Sequence, residues 1–85
     1  MKATLYATEA GVVMLDESGN VIYSAKYAGD PYQKYRLAMA GIRVEEVDEA
    51  VKKAADSGFG ELESNAPGSA ALAESLGMVF IQVDN

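Results

Sequence analysis

Glu45, Glu46, Asp48 and Glu49 place four carboxylates within five positions. So many oxygen ligands could hold a hard cation, but a calcium loop alternates its ligands around a required glycine, and this run does not. Acids are also favoured where a helix begins, and the run reads as a solvated face matched to the helix dipole. Glu61, Glu63 and Glu74 share no spacing that assigns an acid/base pair. Ser69 lies near an expected helix start, where an anion site or an activated hydroxyl would fit. The chain has no histidine, and no lysine follows Lys53, so nothing local activates that hydroxyl. Ser64 or Asn65 reads as a cap and Ser69 as a first-turn residue. The absence of histidine also removes the commonest general base and the serine and cysteine triads. The absence of cysteine removes disulfides and thiolate metal sites.

A phosphate site is the remaining chemical possibility near the start. Actin-like and sugar-kinase ATPases open with a strand, an acid, a glycine-containing turn and a second strand. In "ATEAGVV", Glu9 would be the acid and Gly11 the backbone approach. A phosphate cradle needs several free N–H groups together with a metal-binding carboxylate. One glycine and one glutamate fit a plain hairpin better.

These residues have to be positioned by a single domain of 85 residues, 49% hydrophobic, with a net charge of −6. That acidity argues against binding a nucleic-acid backbone or an anionic membrane surface. No apolar run is long enough to span a bilayer, and the start "MKATLYATEAG" has no apolar core of a signal peptide. A cytoplasmic location is expected.

Residues 2–8 alternate as a first strand, and Val12 to Leu15 is an apolar second strand expected to be covered on both faces. "DESGN" is a turn, and Val21 to Tyr27 is a third strand. Its alternation places Val21, Tyr23, Ala25 and Tyr27 on one face and Ile22, Ser24 and Lys26 on the other. These three strands read as an antiparallel meander. Asp30 and Pro31 start a short helix that Gly41 stops. Val44 to Ser57 is a stronger helix, with Val47, Ala50, Val51, Ala54 and Ala55 on one side. Residues 59–64 fit a fourth strand with Phe59 and Leu62 turned inward. Ala70 to Leu76 forms a third helix capped by Gly77, and residues 78–83 form a last strand. The order β-β-β-α-α-β-α-β predicts an α/β (α+β) mixed sheet whose second half is βαβ-like with a parallel pair. Leu15, Val47, Leu76 and Phe80 are expected in the core.

Five tyrosines stand against two phenylalanines. Tyr32, Tyr35, Arg36 and Met39 share one side of the expected first helix, and Tyr23 and Tyr27 share a strand face directly before it. Tyr, Arg and Met are enriched where proteins meet proteins. These six residues form the expected partner-binding patch, on which Tyr35→Ala would weaken binding. The alternative is that the tyrosines close the domain's own core edge with their hydroxyls in water.

Across all 85 residues the order of elements resembles the N-terminal domain of the archaeal Nop scaffold proteins, relatives of the eukaryotic nucleolar Nop proteins of box C/D ribonucleoproteins. The stretches that carry the resemblance are "YATEAGVVMLDESGNVIYSAKY", "DSGFGELESNAP" and "ALAESLGMVFIQVD". The resemblance implies an α/β module that binds fibrillarin, the S-adenosylmethionine-dependent RNA 2′-O-methyltransferase. In that family a coiled coil and a basic RNA-binding Nop domain follow; neither is present in this chain, which implies a stand-alone fragment. The expectation is a non-catalytic adaptor of box C/D ribonucleoproteins, with a fibrillarin-like methyltransferase as partner. It uses no cofactor or metal and makes no direct contact with nucleic acid or membrane. The alternative is an N-terminal fragment of an actin-like or ribonuclease H-like ATPase.

Overall fold

Alternation of small apolar and polar side chains makes the first segment a strand with one dry face. The computed structural model describes residues 1–27 and 43–83. In it β1 (Lys2–Ala7) buries Ala3, Leu5 and Ala7 and turns Lys2, Thr4 and Tyr6 the other way. β2 (Gly11–Leu15) and β3 (Val21–Lys26) complete an antiparallel meander, with Leu5 opposite Met14 and Met14 opposite Tyr23. The turn between β2 and β3 is built on Asp16, whose Oδ1 accepts the N–H groups of Ser18 and Asn20, both at 2.9 Å. The expected helix at 31–40 lies outside the described residues.

Helix α1 (Glu45–Asp56) follows, then β4 (Glu61–Ser64), helix α2 (Ser69–Ser75) and β5 (Val79–Gln82). Val47, Ala50, Val51 and Ala54 form the buried stripe of α1. Glu45, Glu46 and Asp48 lie in its first turn and Lys53 in its last, as the dipole favours. The sheet is mixed, in the order β3-β2-β1-β4-β5. β4 runs parallel to both neighbours, with Leu62 between Ala3 and Phe80. α1 packs over β1, β2 and β3, while α2 packs over β4 and β5 and against α1. The fold is thus an α+β globule with both described helices on one face of a five-stranded sheet.

Three expectations are corrected. First, β2 is not covered on both faces: Val12 and Met14 are buried under the helices, but Val13 and Leu15 are half-buried on the opposite face. Second, the start of β3 departs from the expected faces: Ile22 packs against the core beside Tyr23, and Val21, expected to share the face of Tyr23, lies on the opposite face beside Leu15. A bulge between Met14 and Leu15 pairs Leu15 with Val21 and Met14 with Tyr23, and the extra residue breaks the two-residue period. Third, Leu76 is 41% exposed. It is the residue capping α2, and the chain turns away at Gly77, whose φ of 81° takes it into the left-handed region. Leu72, one turn earlier, makes the core contact instead. Of the other residues expected in the core, Val47 is fully buried and Phe80 packs partly buried against it, while Leu15 is half-buried on the opposite sheet face, outside the core.

Candidate functional site

The β1–β2 turn satisfies its own donors. The N–H groups of Ala10 and Gly11 both donate to Thr8 Oγ1, at 3.2 and 3.3 Å, and Thr8 N–H donates to the Gly11 carbonyl at 2.8 Å. These are the groups a phosphate cradle would need, and the hairpin itself uses them. A Cβ built on Gly11 would run into the carbonyl oxygen of Ala25, so glycine is needed there for the close approach of β3.

The serines are equally occupied. Ser64 Oγ accepts the Ala66 N–H at 2.9 Å, and Ser69 donates its hydroxyl to the Ala66 carbonyl; both serines are fully buried. Asn65 does not cap α2, whose N-cap is Gly68 and carries no side-chain cap. Asn65 instead reaches β1, accepting the Ala7 N–H at 2.9 Å and so continuing the β1–β4 ladder through a side chain. Around α1, Arg43 lies 3.9 Å from Asp48. Among the described residues, no group of three or more metal-ligating side chains converges.

The expected tyrosine patch divides. Tyr27 is 4% exposed and belongs to the core. Its N–H donates to the Ala10 carbonyl at 3.0 Å, extending the hairpin and keeping the ring on the helix side with Tyr23 and Ala25. Tyr23 is half-buried and lines a shallow recess with Glu49, Lys52, Lys53, Asp56 and Ser57 of α1 and its end. Burial, and then the charges of Glu49 and Glu46, push the Tyr23 hydroxyl above the ordinary tyrosine range. Tyr32, Tyr35, Arg36 and Met39 lie outside the described residues.

The sheet face opposite the two described helices carries a surface that no single stretch of the sequence marks. Cross-strand register puts Val21, Leu15, Thr4, Glu63 and Ile81 in one row across it, and Lys2, Glu61 and Val79 in the next. Val21 is 60% exposed, Val79 is 62% exposed, and Tyr6 also reaches solvent on this face. Between the two apolar flanks is a hollow lined by Lys2, Thr4, Asp16, Glu17, Glu61 and Ile81. Lys2 Nζ binds Glu63 Oε2 at 2.7 Å, and Lys2 N–H donates to Glu17 Oε1 at 2.6 Å. That ion pair with Glu63 is the main reason the Lys2 ammonium is held above its ordinary value. The available signal was the two-residue period: with Leu62 inward, Glu61 and Glu63 must share the other face. Only the parallel register, set by distant pairing, brings them beside Lys2 and Val79.

No family model matches the chain, and no curated protein matches it.

Proposed function

We propose that this domain is a non-catalytic, cytoplasmic adaptor that docks a fibrillarin-type RNA 2′-O-methyltransferase in a box C/D guide ribonucleoprotein. One observation carries the docking half of the reading: a five-stranded sheet leaves Val21 and Val79 on its two edge strands and Tyr6 on its central strand exposed on the face opposite its described helices. The weight lies on the face as a whole: no described helix covers it, and its large apolar side chains are left in water around a polar hollow, the mix of apolar and polar groups that a protein partner meets. The identity of the partner rests on the resemblance of the three sequence stretches. The net charge of −6 supports a protein partner over direct contact with RNA, which the rest of such a particle would hold.

Calorimetric titration of the domain with a purified fibrillarin-type methyltransferase tests the reading. A saturable 1:1 complex at ~1 μM or tighter, about −8 kcal/mol, is the expected result. A parallel titration with ATP and magnesium is expected to give no binding heat. Heat from micromolar ATP, with none from the methyltransferase, would replace the adaptor by the ATPase-fragment reading.

A further inference from the structure

The open sheet face pairs exposed apolar side chains with an excess of negative charge. Asp16, Glu17, Glu61 and Glu63 gather around the hollow where β1, β4 and β5 begin, against Lys2 and the chain's amino group. Lys2 is committed to Glu63, and Asp16 to its turn. The Glu61 carboxylate is exposed and makes no hydrogen bond or ion pair among the described residues. Val79 follows it directly across the register, and Ile81 lines the hollow.

We propose that this end of the open face is the partner-binding surface, and that its occupant is a basic protein surface that inserts arginine between apolar contacts. The inference deepens the adaptor reading and rests on it. Charge complementarity selects the occupant. A nucleic acid or an anionic lipid would be repelled by these carboxylates, and a second copy of this chain would bring the same acids face to face. A guanidinium meets the chemistry best: it forks onto carboxylate oxygens while its flat faces stack on aliphatic side chains such as those of Val79 and Ile81. Apolar contact supplies the area, and the Glu61 carboxylate sets register and association rate.

The test is calorimetry of the unaltered domain and four variants against the same purified methyltransferase. Glu61→Lys should raise Kd ~tenfold or more, and Glu61→Gln by less, since it removes the charge without reversing it. The Glu61→Lys effect should shrink as salt rises from ~0.1 to ~1 M, because exposed charges are then screened within ~3 Å. Val79→Ser should weaken binding at both salt concentrations. Glu74→Lys, the same reversal on the exposed side of α2, should leave Kd within ~twofold, as expected away from the interface. Thermal melts of Glu61→Gln should match the unaltered domain, since Glu61 is exposed, and Glu61→Lys, which sets a second ammonium beside Lys2, should lower the melting temperature by only a few degrees. If the unaltered domain does not bind, the adaptor reading falls, and this inference with it. If it binds and neither the Glu61 variants nor Val79→Ser changes Kd, only the placement on the open face is overturned. An equal loss from Glu74→Lys overturns it as well, by showing a diffuse charge effect. Sedimentation showing a dimer that Val79→Ser dissolves would assign the face to a second copy instead.

Discussion

Leu62→Ala tests how the sheet is held together. Leu62 is fully buried on β4, flanked by Ala3 on β1 and Phe80 on β5. Truncation removes three buried carbons, worth about 2.4 kcal/mol at ~0.8 kcal/mol each. A cavity term adds to this, because β4 is paired on both sides and cannot collapse into the space, giving a total of ~3–4 kcal/mol. At ~0.05–0.15 kcal/mol per residue the whole domain holds only ~4–13 kcal/mol, so the variant is left marginal. Urea unfolding followed by far-UV circular dichroism should show a lower midpoint with an unchanged m-value. The melting temperature should fall by ~12 °C or more, at ~4–8 °C per kcal/mol for a domain this size. Leu76→Ala is the matched comparison: the same atoms leave a side chain that is 41% exposed, and the loss should be ~1 kcal/mol or less. Equal losses from the two variants, or a Leu62→Ala loss below ~1.5 kcal/mol, would refute the assignment of Leu62 to the sealed layer and Leu76 to the surface.

Gly11→Ala should destabilise by ~1–3 kcal/mol or more in the same urea assay, because the new methyl meets the backbone of β3, which can move only by breaking the β2–β3 pairing; a neutral result would contradict the close approach. Asn65→Ala should cost ~1–2 kcal/mol by leaving the Ala7 N–H without its acceptor, and amide exchange at Ala7 should quicken. Hydrogen bonds from Asn20 and the other turn groups depress the Asp16 pKa, so its contribution is complete above the ordinary aspartate value and is lost as pH falls through the folded value. The stability gap between the unaltered domain and Asp16→Asn should therefore narrow on acidification, and a gap constant with pH would show that the carboxylate's charge does not hold the turn.

Local signals were enough for most of the fold. The period of Val47, Ala50, Val51 and Ala54 located α1, and the residues of "DESGN" located the β2–β3 turn. What failed depended on geometry beyond the window. The apolar run Val12–Leu15 looks doubly covered by composition, but only strand order shows that both described helices lie on one side. The bulge that turned Ile22 inward is a pairing event between two strands and leaves no mark in either alone. Leu76 fits the helical period, yet the helix ends beneath it. The candidate surface was hidden for the same reason. Lys2, Glu61 and Val79 become neighbours only through parallel pairing across most of the chain, whereas the tyrosines stood out by type alone.

The position of β1 has a consequence for cooperativity. The amino-terminal strand lies at the centre of the sheet, joined to β2 on one side and β4 on the other, while α1, from the later half of the chain, covers the early meander. The two halves are therefore interleaved. A chain cut between residues 27 and 43 would leave the meander without α1 over its apolar face, and β4 without its central neighbour. Neither piece holds a closed core by itself, so the halves are obliged to gain and lose structure as one thermodynamic unit.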